Sequence, residues 1–408
     1  MNIKRNIALP ALLLFALCLA PAFAFGGPAA MDFGDTPPEP DMPSEMPGYS
    51  TNALRELARA VQRTGLGKGS IPALDRPVYM SISAADLSMD NDEPVFVVHY
   101  PNNLVRIYPQ RIMVWHEVVN DWLLGESDAV PWARPGVGAN EREGEGFTIS
   151  YSPLTGSVVA FRSMAGRHAT SFGVTGMLLN GNSVLYDRIS RSLWCQLLAV
   201  SIEGPFRGRR LERIQVTWAS WRGVKERYGG LDPQFTGRAE VLSRATGHRR
   251  SYGRDPYGNY QVPGTYYDNH LLPFPVNHLD TRLHAKTRIL GLEVDTAFAA
   301  VIVDAVKKQR ALNFSLGMIP MVALYDQTLG AVRVFDRRLP GRAEPLNFII
   351  FDGALIDEAT RTEWHPAGRS IHGALRDREL TQILSIDAMW FAWASFYRGT
   401  IIIPGREW

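Results

Sequence analysis

The second half of the chain repeats the first, and this constrains its fold more than any other feature. Asp187-Arg188-Ile189-Ser190-Arg191-Ser192-Leu193-Trp194 returns as Asp357-Glu358-Ala359-Thr360-Arg361-Thr362-Glu363-Trp364. Ser201-Ile202-Glu203-Gly204 followed by Leu211 returns as Ser370-Ile371-His372-Gly373 followed by Leu380. Each half closes with a tryptophan pair, Trp218 with Trp221 and Trp390 with Trp393, which the spacing sets in register as Trp221 with Trp393. An offset held at about 170 residues marks the tandem duplication of a whole structural unit. Residues present in both units are then expected to be architecture. Polar residues present in one unit only are candidates for chemistry.

The chain has 408 residues, 46% of them hydrophobic, enough for two or three domains with real cores. Its formal charge is +2, from 43 basic and 41 acidic side chains, and Lys4 and Arg5 account for the excess. Without a long basic run, a nucleic-acid partner has no electrostatic support.

Residues 1–24 read as a secretory signal. Lys4 and Arg5 form a positive start, Ile7 to Leu19 an apolar stretch, and Ala22-Phe23-Ala24 a small-x-small cleavage site. Leu17 is too large for lipoprotein processing at Cys18, and the apolar run is short for a spanning helix. The expectation is a periplasmic or extracellular protein with no membrane span after cleavage. Cys18 leaves with the signal, so Cys195 is left as a lone thiol beside Trp194, expected to be buried and inert.

Residues 25–50 are rich in Pro and acidic side chains and contain no Lys or Arg, the composition of a disordered tether. Residues 51–73 come next as an N-terminal helical segment, with Leu54, Leu57, Ala58 and Val61 on one face over 52–64 and Gly65 as its stop. Repeat unit one spans 74–225 and repeat unit two 274–408. In unit one, Pro94 to Tyr100 and Leu104 to Tyr108 form a hairpin. A helix is predicted from Pro109 to Leu123. A second hairpin runs through Phe147–Tyr151 and Gly156–Phe161. Tyr325, Gly330 and Phe335 match Tyr151, Gly156 and Phe161 at one constant offset. The inter-unit region 226–273 has no counterpart and includes the aromatic stretch Tyr252 to Tyr260, expected to pack across the two units. The fold class is therefore α+β and β-rich, two tandem pseudo-equivalent units packed together behind a signal and a Pro-rich tether.

Several segments together resemble the bacterial domain-of-unknown-function 3179 family. They are Trp115-His116-Glu117-Val118-Val119-Asn120-Asp121, Tyr151-Ser152-Pro153-Leu154-Thr155-Gly156-Ser157, Phe172-Gly173-Val174-Thr175-Gly176, Tyr186-Asp187 with Ser192-Leu193-Trp194-Cys195-Gln196, and Tyr252-Gly253-Arg254-Asp255-Pro256-Tyr257-Gly258. The resemblance spans nearly all of the chain after the signal, and brings no established activity with it. In the family's pattern a cysteine often stands where this chain has Ser152, and sometimes where it has Thr155. The resemblance therefore implies no thiol chemistry for this chain at those positions.

The best candidates for chemistry surround His116. On a continuous helix His116 and Asn120 share one face and Glu117 and Asp121 the next. Counting from Tyr108 and Phe298, unit two places Val306, Lys307, Arg310 and Ala311 there, so the polar set belongs to unit one alone. A histidine with a carboxylate nearby can act as a general base or hold a metal, and the same four residues can instead form a buried structural network. Tyr151, Ser152, Arg254, Asp255 and Tyr257 are candidate ligand contacts. Asp121 to Tyr151 is about twice the interval from Ala311 to Tyr325, so the extra loop around Glu126 to Gly144 is a candidate lid. Ser152 lies outside any Gly-x-Ser-x-Gly elbow. No glycine-rich phosphate loop, zinc-type cysteine pair or EF-hand loop is present, so the sequence names no cofactor. Two readings stand side by side. One is a periplasmic binding or scaffold protein for a small molecule or glycan. The other is a secreted hydrolase using His116 with Glu117 and Asp121.

Overall fold

The computed structural model describes residues 50–100, 103–123, 145–165, 168–230, 232, 235–246, 250–253, 255–258 and 263–405. The signal, all but the last residue of the tether, the loop from Glu126 to Gly144, and Arg254 lie outside the described residues.

Runs of β-branched and aromatic residues make the described chain mostly strand. Pro94–His99 and Leu104–Pro109 are buried on both faces, as their near-continuous apolar sequence requires. They pair as a hairpin, and its sheet runs Thr217–Ser220, Pro94–His99, Leu104–Pro109, Arg238–Leu242, Tyr79–Met80. A second sheet orders Val118–Leu123, Glu145–Ser152, Ser157–Arg162 and Arg213–Ile214. A third orders Gln62–Arg63, Phe172–Leu179, Asn182–Asp187, Leu193–Cys195 and Val200–Glu203.

The same succession recurs after Arg288. Ser385–Met389, Arg288–Val294, Ala297–Ile302 and Ile401–Ile403 form one sheet. Ala311–Leu316, Ile319–Asp326, Ala331–Asp336 and Gln382–Ile383 form the next. Phe348–Phe351, Ala354–Asp357, Glu363–Trp364 and Ser370–His372 form the last. Arg238–Leu242, inside the stretch expected to lack a counterpart, lies parallel to Leu104–Pro109, and Ile401–Ile403 lies parallel to Ala297–Ile302 in the same way.

Details recur with the strand order. Asp187 accepts from Ser190 N (2.6 Å) and Oγ (2.7 Å), and Asp357 from Thr360 N (2.8 Å) and Oγ1 (2.5 Å). Gly204 (φ +97°) and Gly373 (φ +116°) press on Ser192 and Thr362, where an added Cβ would stand 2.7 and 2.8 Å from their Cα atoms.

The helix predicted over Pro109–Leu123 is shorter. It covers Gln110–His116 and stops at Glu117, which takes a left-handed conformation (φ 57°), and Val118–Leu123 is a strand. The β-branched pair Val118-Val119 gains more on a sheet than on a helix. Val303–Gln309 and Arg310 (φ 65°) repeat this device, succeeded by the strand Ala311–Leu316. The register between the halves therefore corrects the one counted from Tyr108 and Phe298: Glu117 corresponds to Arg310, Asn120 to Asn313, and Asp121 to Phe314. Asn120 is thus shared by both halves. Its amide exchanges two hydrogen bonds with the Phe172 backbone (2.8 and 2.9 Å), as Asn313 does with Phe348 (3.0 and 2.7 Å). In each half this side chain splices the second sheet to the third.

The tryptophan pairs also align differently. Trp221 and Trp390 both open helices, and their backbone N–H groups donate to Glu93 and Thr287 carbonyls, both at 2.8 Å. Trp221 therefore corresponds to Trp390, and Trp218 to Asp387. The N-terminal helix ends sooner than 52–64 suggested. Thr51–Arg59 is capped by Ser50, and Gln62–Arg63 instead pairs with Leu178 and Met177, giving that backbone strand partners.

The halves lock reciprocally. Thr217–Ser220 lies against Ala331–Asp336, and Ser385–Met389 against Ser157–Arg162. One core cluster contains Phe161, Trp194, Ile289 and Trp393 alike. Buried Arg213 donates to Glu293 (2.9 Å) and Tyr397 (2.8 Å) across the seam. Among the described residues no helix is long and apolar enough to cross a membrane.

Asn120→Ala should cost about 1–3 kcal/mol, because it strands the Phe172 backbone groups out of reach of water. Asn313→Ala should cost less, since Asn313 is half-buried. Urea unfolding of both variants measures this, and two silent substitutions would remove the splice from the account of the fold.

Candidate functional site

The left-handed turn at Glu117 sets the geometry of the site. Its N–H donates to Met113 O (2.7 Å) and its carbonyl accepts from Tyr151 N (2.8 Å), which ties the helix end to the second sheet. This backbone directs the carboxylate inward, where only 7% of the residue is exposed. Ser183 Oγ donates to Glu117 Oε2 (2.7 Å), and Ser152 Oγ lies 3.1 Å from Ser183 Oγ and 3.2 Å from Ser183 N. Ser152 Oγ accepts from the Ser183 N–H, and the single Ser183 hydroxyl proton is shared between Glu117 Oε2 and Ser152 Oγ. Burial pushes the Glu117 carboxyl up from 4.5 to about 7, against the lowering effect of the Ser183 hydrogen bond.

Asp255 stands on the far side of the same region. Its carboxylate accepts from Tyr257 N (2.8 Å), Tyr267 OH (2.9 Å) and Gln110 Nε2 (3.3 Å). Burial raises its pKa from 3.8 to about 6. Gln110 Nε2 also reaches Tyr151 OH (3.1 Å). The Tyr257 phenol is pushed up by burial first and then by the negative charges of Glu117, Tyr266 and Asp255, so it stands within electrostatic range of both carboxyls. Five of the nine candidates, Glu117, Tyr151, Ser152, Asp255 and Tyr257, thus come together.

An open cleft of about 390 Å³ adjoins this cluster through Gln110 and Asp255, and Asp255 is the one of the five candidates that lines it. Asp90, Asp92, Glu93, Arg111, Tyr252 and Thr265 line it with them. Burial raises Glu93 to about 7 although Arg111 pairs with it.

The remaining candidates sit elsewhere. His116 is fully buried, with Nδ1 2.8 Å from Pro72 O and Nε2 2.7 Å from Tyr252 OH. A carbonyl only accepts, so Nδ1 carries the hydrogen and Nε2 accepts from the tyrosine. His116 therefore holds Tyr252, which lines the cleft. Asn120 is the splice between the second and third sheets. Asp121 is sealed among Arg106 Nη1 (2.5 Å), Tyr108 OH (2.6 Å), Tyr100 OH (3.3 Å) and Tyr79 OH. Because Val118–Leu123 is a strand, the helical facing of His116 with Asn120 and Glu117 with Asp121 does not occur.

Cys195 is buried, and burial drives its thiol up to about 12, which makes it unreactive. No group of three or more His, Cys, Asp or Glu among the described residues is arranged to hold a metal ion. Sequence reasoning missed Gln110, Ser183 and Glu93. The asymmetry argument in the correct register finds Gln110 and Glu93, because Val303 and Thr287 stand in their places.

These features define a β-rich protein of two similarly built halves with a buried polar cluster beside a cleft in the first. The chain matches the family model described as Protein of unknown function (DUF3179) over residues 68–134 and 137–400, and it belongs to that family. Comparison with curated proteins and with solved structures gives no match.

The Glu117 shift has a sign that can be tested. The native state keeps this proton up to about pH 7, while an unfolded glutamic acid releases it near 4.5. The native state binds more protons in that window, so the group's contribution to stability falls as pH rises from 4.5 to 7. Glu117→Gln should be more stable than the parent at pH 8 by about 1–3 kcal/mol, with the gap closing by about pH 5. A gap independent of pH would mean that Glu117 is not held protonated. His116→Ala should instead lose about 1–3 kcal/mol at every pH, since it removes the buried partner of Pro72 O and of Tyr252 OH. An unchanged melting temperature would contradict that role.

Proposed function

We propose that this is an exported ligand-binding protein, built by tandem duplication, whose site is the cleft of the first unit. The observation that carries this reading is the asymmetry of the two halves at equivalent positions. Gln110 lines the cleft and is linked through Tyr151 to Glu117, which shares Ser183 with Ser152, while Val303, Arg310 and Asp326 stand in their places in the second half. Carboxyls raised toward neutrality beside an open cleft cost stability, and such costs concentrate at functional sites. The ligand is a small molecule or glycan, and the balanced charge gives no support to nucleic acid. Residues 1–24 serve as the export signal and 25–50 as a tether, which places the mature protein in the periplasm or outside the cell.

A hydrolase using His116 with Glu117 and Asp121 would need a free imidazole nitrogen, and both are engaged by Pro72 and Tyr252. The binding reading needs no such release. A thermal-shift screen of small metabolites and oligosaccharides on the mature chain tests it. At ligand concentrations of about 100 times Kd, a true ligand raises the melting temperature by a few degrees, and Asp255→Asn should abolish the shift. If no compound stabilises the protein, or if every hit stabilises Asp255→Asn equally, the cleft is not the site.

A further inference from the structure

We propose that the cleft takes a small organic ammonium ion, recognised by the carboxylates that line it and by the amide oxygen of Gln110. The inference rests on the proposed binding role and names its ligand class.

The groups left short of partners at this cleft are acceptors. Gln110 is 3% exposed, and its Nε2 is engaged by Asp255 and two tyrosines. That assignment of the amide leaves Oε1 buried with no hydrogen-bond donor among the described residues. A buried carbonyl oxygen without a donor is costly, and an occupant that supplies an N–H removes the cost. The charges point the same way. Among the described residues the cleft is lined by Asp90, Asp92, Glu93 and Asp255 against one guanidinium, Arg111. Arg111 is already held by Glu93, Asp90 (3.7 Å) and the Ser88 carbonyl (2.7 Å). Among the described residues Asp255 receives only neutral donors, from Tyr257 N, Tyr267 and Gln110. No described cation pairs with this carboxylate, and an ammonium group carries both the charge and the donors.

The test is isothermal titration of the mature chain at pH 7.5 with putrescine and with 1,4-butanediol, which has the same length and hydrogen-bonding ends without the charge. Putrescine should bind, and the diol should bind on the order of tenfold more weakly or not at all. Asp255→Asn and Gln110→Leu should each weaken putrescine by about tenfold, while Asp304→Asn, at an exposed position of the helix Val303–Gln309, should leave it unchanged. Gln110→Leu carries the test if Asp255→Asn does not fold. Equal binding of diamine and diol, no heat from putrescine at about 10 mM, or binding indifferent to both cleft variants would overturn the ammonium assignment. A neutral ligand from the thermal-shift screen that loses its effect in Asp255→Asn would sink the ammonium assignment and leave the binding reading standing. Failure of every ligand would sink both.

Discussion

Each half turns on one residue in the left-handed conformation. Glu117 and Arg310 end a seven-residue helix, accept the N–H of Tyr151 or Tyr325 (2.8 and 2.9 Å), and send the chain into a strand. Everything downstream takes its register from that turn, including the asparagine that splices two sheets. For a side chain other than glycine this conformation is uncommon, and it persists because hydrogen bonds on both sides of the residue hold it. The same backbone carries opposite chemistry in the two halves. The guanidinium of Arg310 reaches the Gly353 carbonyl near the surface (2.9 Å), whereas the carboxyl of Glu117 is buried against Ser183.

The recurring succession of strands has markers legible in the sequence because they are backbone requirements. Asp187 and Asp357 must close a turn, and Gly204 and Gly373 must sit where no Cβ fits, so chemistry preserves them at fixed spacing. The register around His116 was not legible. A helix from Pro109 to Leu123 is a fair reading of its apolar spacing, but the β-branched Val118-Val119 and the sheet edge waiting for them outweigh it. Three residues of slippage then made Asn120 look unique to one half. The tryptophan pairs failed for the same reason: two aromatics three residues apart match each other equally well in either of two registers, and only the strand pairing of Ser220 with Pro94 and Met389 with Arg288 separates them.

The polar clusters of the first half also needed three dimensions to sort. Asp121 and Glu117 are both buried acids on one short stretch. Asp121 meets an arginine and three tyrosine hydroxyls, so its burial is compensated and its place is structural. Among the described residues Glu117 meets a single serine hydroxyl and Asp255 only neutral donors. The difference between a satisfied and an undersatisfied acid separates scaffold from site here, and partners distant in sequence decide it: Arg106 and Tyr79 for one, Ser183 and Gln110 for the others. His116 shows the converse, a residue chosen for its chemistry that supports the site through Tyr252 instead of entering it.

The most direct measurement is the titration of the Glu117 carboxyl itself, by carbon NMR on glutamate-labelled protein with Glu117→Gln used to assign the signal. A midpoint near 7 is expected for an acid buried with one hydroxyl partner. A midpoint at or below the ordinary 4.5 would mean that Glu117 is solvated or paired with a cation, and would contradict the undersatisfied polar cluster on which the functional reading depends.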